Sequence, residues 1–118
     1  MWLLLTALLA LSVPEGTPPH LYKILTPEAW QACQGQERLS LGPDDAAFIH
    51  LAEQEQVPRI AKKFFHDHSQ LMIVELDPKL LPGRLVKEAN PGGTIRYYHL
   101  YDGYLPFSAV SNHRILQQ

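Results

Sequence analysis

The stretch QLMIVELD, residues 70–77, is the strongest strand signal in this chain. Its four residues from Leu71 to Val74 are all apolar instead of alternating with polar ones, which is typical of a strand covered on both faces. We therefore expect Leu71 to Leu76 to form the central strand of a sheet. Ile73 or Val74 is expected to be among the most buried residues of the protein.

The segments before and after this strand alternate between strand and helix signals. Strands are predicted over residues 18–25, 46–52, 84–89, 94–101 and 108–116, and short helices over 27–34 and about 54–66. Thr26 followed by Pro27 is a typical helix start, and Pro58 suits only the first turn of the second helix. The strand at 84–89 has the character of an edge strand. Two helices and about six strands predict an α+β fold with an antiparallel-dominated sheet.

The composition limits the classes of function. The formal charge of −2 gives no basic surplus, so we expect no bulk electrostatic binding to nucleic acid. Cys33 is the single cysteine of the sequence, which excludes an internal disulfide framework. His66 and His68 lie where a helix should end, and no third ligand has a matching spacing, so no metal site is predicted.

The N-terminal segment differs from the rest of the chain. Residues 1–13, MWLLLTALLALSV, are uncharged and mostly apolar, and a proline-rich spacer follows up to residue 19. The run is too short to span a bilayer of about 30 Å but has the length of a signal-peptide core. We expect residues 1–19 to be a leader that contacts the membrane transiently and directs a secreted or periplasmic protein. The alternative is an apolar or membrane-tethering first helix, and without export the location is cytoplasmic. Residues 20–118 are expected to form one globular domain, because chains divide only beyond about 250 residues.

One late stretch, RYYHLYDGYLP at residues 96–106, sets a histidine among tyrosines. On a strand, His99 shares a face with Tyr97 and Tyr101, while Tyr98 takes the other face. Such a face can both stack on a flat ring and form hydrogen bonds, which predicts the wall of a ligand pocket. The alternative is an aromatic ladder that only stiffens the sheet.

Five short motifs follow one another along the chain: LYKIL, FIHL, LMIVELD, the pair KE, and HLYDGYLPFSAV. Together they resemble a family of small, mostly bacterial domains, the domain of unknown function family 952, from Leu21 to about Ile115. The resemblance implies a fold similar to the ADP-ribosyltransferase fold, a split sheet with NAD in its cleft. It also implies that the motifs of the first, second and late strands face one cleft.

The resemblance assigns roles to individual residues. It implies that Glu88 and His99 are catalytic, with Glu88 stabilising the positive charge at the cleaved sugar carbon. In an enzyme that uses NAD, Lys23 is expected to bind the pyrophosphate, His50 and His99 the ribose hydroxyls, and Tyr97 or Tyr101 to stack on nicotinamide. The alternatives are that Lys23 is solvated on an open sheet face and that His50 is a core residue with one backbone partner.

Three functions are compatible with these residues. The first is an enzyme that uses NAD and transfers or hydrolyses ADP-ribose without a metal. The second is a non-catalytic secreted or periplasmic binding module with a degenerate pocket, suggested by Ala52, which stands where the family usually has serine. The third and weaker one is RNA-end phosphotransfer, which needs several phosphate-binding arginines and lysines, and the expected cleft offers few. For a ligand site we expect Lys23, His50, His99 and Tyr101 to converge on one concave surface, because stacking, hydroxyl recognition and anion pairing need different groups close together.

Overall fold

The computed structural model describes residues 13–118. Most of the predicted leader, residues 1–12, lies outside the described residues. Within the described part, no helix is long and apolar enough to cross a membrane.

The described chain is built from short helices and antiparallel strands. Its regular elements are β1 (Leu21–Leu25), α1 (Pro27–Ala32), β2 (Ile49–Leu51), α2 (Val57–Phe64), β3 (Gln70–Leu76), β4 (Arg84–Ala89), β5 (Arg96–Tyr101) and β6 (Val110–Gln117). The strands form two sheets of three strands each, and all the strand pairs are antiparallel. The predicted α+β class is therefore confirmed. At the start of α1 the side chain of Thr26 accepts a hydrogen bond from Ala29 N at 3.1 Å, as the predicted helix start requires.

The strand β3 lies at the centre of the first sheet, between β1 and β6. Met72, Val74 and Leu76 pack in the main apolar cluster, which is shared with the second sheet. Leu71 and Ile73 point to the other side and pack beneath α2. Ile73 is 1% and Val74 0% exposed, which confirms the predicted central strand. Because both faces are covered there, the residues from Leu71 to Val74 are apolar on both faces of the strand.

The second sheet has the order β2–β5–β4, so β4 is an edge strand, as predicted. One face of this sheet packs in the main cluster through Ile49, Leu51, Tyr98 and Leu100. Strand alternation sends the side chains between them to the opposite face. The two sheets are joined at one isolated bridge, where the backbone groups of Tyr22 and Ala52 pair at 2.8 and 2.9 Å.

Several elements are shorter than predicted, and the second strand and the second helix lose the most residues. The strand predicted over residues 46–52 covers only Ile49–Leu51, because Pro43–Asp45 form a 3-10 turn and the chain then bends before the strand begins. The helix predicted over residues 54–66 starts as a 3-10 turn at Gln54–Gln56 and is α-helical only from Val57 to Phe64. Short local patterns indicate the type of these elements better than their ends.

Gly83, just before β4, and Gly103, just after β5, approach each other closely. A Cβ atom at Gly103 would lie 1.9 Å from the carbonyl oxygen of Pro82. We expect Gly103→Ala to lower the free energy of unfolding by about 1 to 3 kcal/mol, because the backbone must shift to make room. Gly42→Ala is the control, since its added Cβ meets nothing within 4 Å. Urea unfolding of both variants measures the difference, and equal midpoints would contradict the prediction.

Candidate functional site

Two histidines lie directly opposite each other on the outer face of the second sheet. His50 on β2 is the register partner of His99 on β5. The backbone of His50 points away from β5: its N–H donates to Asp45 Oδ1 at 3.0 Å, and its carbonyl oxygen accepts from Lys23 Nζ at 2.9 Å. The two histidines therefore form a non-hydrogen-bonded pair, the kind that brings side chains closest. Their ring centroids are 5.4 Å apart in an edge-to-face arrangement.

Glu88 reaches His99 from the edge strand β4. His99 Nδ1 lies 2.8 Å from Glu88 Oε2, and the hydroxyl of Tyr101 donates to the same oxygen. The hydrogen bond from Tyr101, and then that from His99, hold the pKa of Glu88 below its usual value. The same hydrogen bond to Glu88 raises the pKa of Tyr101. This corner of the face therefore carries an ionised carboxylate next to a neutral phenol.

Phe48 covers His99. Its ring stacks on the imidazole with a centroid distance of 4.0 Å and also contacts the rings of His50 and Tyr101. His99 is 0% exposed, and its Nε2 has no hydrogen-bond partner among residues 13–118. Folded proteins rarely leave a buried polar atom unpaired. This nitrogen is therefore the most unusual atom of the face.

Lys23 and Asp45 form an internal ion pair behind His50. Lys23 Nζ lies 2.8 Å from Asp45 Oδ1, and each side chain is 8% exposed. Burial lowers the pKa of Lys23, and the attraction of Asp45 opposes that effect. Burial alone would raise the pKa of Asp45, but the hydrogen bonds from His50 and the charge of Lys23 outweigh it and hold the pKa far below the usual value.

This ion pair closes the gap where the two sheets separate. Beyond the bridge at Tyr22 and Ala52, β2 has no neighbouring strand on that side within the described chain. The side chains of Lys23 and Asp45 take the place of that strand, because they bind the free carbonyl and N–H of His50. Asp45 Oδ1 also lies 3.1 Å from His50 Nδ1 and so orients the imidazole ring.

The sequence of this chain matches one family along most of its length. The family described as "Protein of unknown function (DUF952)" matches residues 24–113. The chain belongs to the DUF952 family. The resemblance on which the site residues were predicted is thereby confirmed at the level of the family.

Solved structures similar to this DUF952 domain come from Caulobacter crescentus. The crystal structure of protein CC0527 has 33% sequence identity and a TM-score of 0.68, over 82% of this chain and 85% of that chain. The solution NMR structure of CC0527 also has 33% identity, with a TM-score of 0.70 over 85% of this chain and 86% of that chain. No curated protein matches this chain.

The DUF952 domain brings most of the predicted site residues into one contact network. His50, His99, Glu88 and Tyr101 share the outer face, and Lys23 joins them through Asp45. Lys23 differs from the expectation in its environment. Its ammonium group is buried against Asp45, so the charge predicted for a pyrophosphate is already neutralised inside the protein.

Tyr97 is separated from this network. It lies on the same face of β5, but its hydroxyl accepts a hydrogen bond of 2.9 Å from Arg59 Nη2 on α2. The predicted concave surface is not among the two hollows described for residues 13–118, whose linings include neither His50 nor His99. Phe48 occupies the space above His99 that the prediction left for a ligand ring.

Three residues of the site were not predicted from the sequence. Asp45 lies outside every predicted strand and helix, and Phe48 and Arg84 are only members of the strands predicted over residues 46–52 and 84–89. Arg84 lies with its guanidinium 4.7 Å from the ring centroid of Tyr101. The i, i+2 spacing of Phe48 and His50 was the one local signal that could have identified the cover of the site. Among residues 13–118, no group of three or more histidine, cysteine or acidic side chains is arranged to hold a metal.

Proposed function

We propose that this domain binds NAD or a related nucleotide on the outer face of the second sheet and cleaves or transfers at the nicotinamide–ribose bond. The observation that carries the proposal is the buried Nε2 of His99, which has no hydrogen-bond partner among residues 13–118. The other nitrogen of the same imidazole, Nδ1, lies 2.8 Å from Glu88 Oε2. A ligand that displaces Phe48 would supply the missing hydrogen bond. The proposal also includes the ADP-ribosyltransferase-like fold, which two three-stranded sheets meeting at one bridge would suit.

The recognition chemistry follows from the groups that the face offers. A flat nicotinamide ring would take the stacking position that Phe48 occupies on His99. The side chain of His50 is 40% exposed and can bind a ribose hydroxyl while Asp45 holds its Nδ1. Both hydrogen bonds that Glu88 accepts converge on Oε2, so its other oxygen can face the ligand.

Cleavage requires stabilisation of positive charge on the ribose. As the C–N glycosidic bond breaks, nicotinamide leaves with the bonding electron pair, and the sugar acquires oxocarbenium character. The ionised Glu88 lies where it would stabilise that charge. Water, or the nucleophile of an acceptor, then attacks the sugar carbon, and its proton passes to the exposed imidazole of His50 or to solvent. With water the products are ADP-ribose, nicotinamide and one proton.

NAD titration followed by a product assay tests the proposal. NAD at about a hundred times its dissociation constant should stabilise the domain by about 2.7 kcal/mol. The ¹⁵N NMR signal of His99 Nε2 should shift on binding. Glu88→Gln should keep the binding and lower nicotinamide release at least about a hundredfold, as removal of one stabilising group does in other enzymes. Glu28→Gln, on the exposed surface of α1, is the control. The proposal is wrong if neither NAD nor ADP-ribose stabilises the wild type.

The second candidate is binding without turnover. It rested on Ala52, where the family usually has serine. In this domain Ala52 is 3% exposed and packs with Ile24 and Val57 in the apolar cluster beneath α2. A hydroxyl there would be buried among these apolar side chains. NAD that stabilises the domain without nicotinamide release would favour the second candidate.

A further inference from the structure

A shallow groove lies between helix α2 and strand β5. It has a volume of about 50 Å³ and is lined by Arg59, Ile60, Lys63, Phe64 and Tyr97. Phe64 is 56% exposed and lies next to the two cations in this lining. The groove thus combines two positive charges with an aromatic and aliphatic wall.

Within residues 13–118, neither cation of the groove has a carboxylate partner. Arg59 and Lys63 are four residues apart on α2 and therefore lie on the same side of the helix. The ion pairs among residues 13–118 include neither of them. Like charges at this spacing repel each other and weaken a helix. An anion bound between them would remove that repulsion.

The groove is preorganised by contacts between α2 and β5. Arg59 Nη2 donates to the hydroxyl of Tyr97 at 2.9 Å, which holds the guanidinium at the groove. Gln56 Nε2 donates to the carbonyl oxygen of Arg96 at 3.0 Å and ties the start of the helix to the same strand. A guanidinium has five N–H donors, so Arg59 keeps most of them for an oxyanion.

Tyr97 links this groove to the histidine face. It lies directly across from Glu88 in the pairing of β5 with β4. Residues opposite each other in an antiparallel pair have Cβ atoms about 4.5 to 5.5 Å apart. A ligand with its ribose at Glu88 would therefore extend its next groups past Tyr97 and into the groove.

We propose that Arg59 and Lys63 bind the phosphate groups of the nucleotide whose nicotinamide and ribose lie on the histidine face. The inference rests on the proposed function for the identity of the ligand. It assigns the anion-binding role to α2 instead of Lys23, whose charge is neutralised by Asp45. Phe64, at the rim, provides an apolar surface for the remainder of the ligand.

Paired ligands with and without phosphate test this assignment. The double variant Arg59→Gln, Lys63→Gln should bind NAD at least about tenfold more weakly by calorimetry, equivalent to about 1.4 kcal/mol. Its affinity for nicotinamide riboside, which has no phosphate, should not change. Lys62→Gln is the matched control, because Lys62 is an exposed cation of the same helix that does not line the groove. Added salt should weaken NAD binding in the wild type more than in the double variant.

The results separate the groove from the proposed function. If NAD binds and the double variant binds it as tightly as the wild type, the groove assignment is overturned and the proposed function stands. If NAD does not bind the wild type, the proposed function fails. A titration with inorganic pyrophosphate then tests anion binding in the groove by itself. A shift of the Tyr97 NMR signals on adding pyrophosphate, present in the wild type and absent in the double variant, would support an anion site. Unchanged signals would overturn it.

Discussion

Replacing Asp45 with alanine should lower the free energy of unfolding by about 3 to 5 kcal/mol, the usual effect of breaking a buried ion pair. The substitution leaves the ammonium of Lys23, only 7% exposed, without its counter-ion. It also removes the acceptor of the His50 N–H at the edge of β2. A buried charge and a buried N–H would both lose their partners, because β2 has no neighbouring strand there in the described chain.

Urea unfolding of matched variants measures this effect. Asp44→Ala removes an exposed carboxylate next to the pair and should change stability by no more than about 0.5 kcal/mol. Asp45→Asn keeps the shape and some of the hydrogen bonds, so its cost should lie between those of the two alanine variants. A stability of Asp45→Ala equal to that of Asp44→Ala would show that the ion pair does not hold the two sheets together.

The same ion pair makes stability depend on pH in acid. The pKa of Asp45 in the folded protein lies below the value of about 3.9 expected for an unfolded chain. A group with a lowered folded pKa adds stability above the unfolded pKa and loses it as the pH falls towards the folded pKa. The lowered pKa of Glu88 acts in the same direction. Wild-type stability should therefore fall below about pH 4, and the fall should be shallower in Asp45→Asn.

Replacing Ile73 with alanine should lower the free energy of unfolding by about 2 to 5 kcal/mol. Ile73 is 1% exposed in the middle of β3 and packs in the cluster beneath α2. Its truncation loses the transfer free energy of the removed carbons and leaves a cavity between the helix and the sheet. β3 pairs with strands on both sides, so the surrounding backbone cannot easily collapse into that cavity.

Ile115 provides the control for this prediction. It has the same side chain on the adjacent strand β6, but it is 56% exposed. Ile115→Ala should therefore change stability by about 0.5 kcal/mol or less. Both variants can be compared by urea unfolding, with one slope of unfolding free energy against urea concentration for both. Similar losses in the two variants would contradict the position of β3 at the centre of the fold.

The elements of this domain with strong local patterns were predictable. The apolar run from Leu71 to Val74 indicated a strand covered on both faces, and β3 is that strand. The alternation around His99 separated the outer face from the core face, where Tyr98 is 2% exposed. Thr26 and Pro27 marked a helix start that the structure confirms. Each of these features depends on residues no more than a few positions apart.

The candidate site was predictable only in part. Family motifs indicated His50, His99, Glu88 and Tyr101, and these four side chains do contact one another through the network. The ion pair of Lys23 with Asp45 joins residues 22 positions apart, and the hydrogen bond of Arg59 with Tyr97 joins residues 38 positions apart. No periodicity connects residues at such separations.

The sequence by itself therefore determined which segments are strands and helices, and which side chains share a strand face, because both follow from the geometry of the local backbone. The tertiary structure decided which charges are free. Where β1 and β2 separate, the unpaired backbone of His50 must find partners, and it takes the side chains of Lys23 and Asp45. Lys23 is thereby buried and neutralised, while Arg59 and Lys63 keep charges without a carboxylate partner in the described chain. Burial and pairing of a charge depend on contacts between distant segments, and these form only when the two sheets meet.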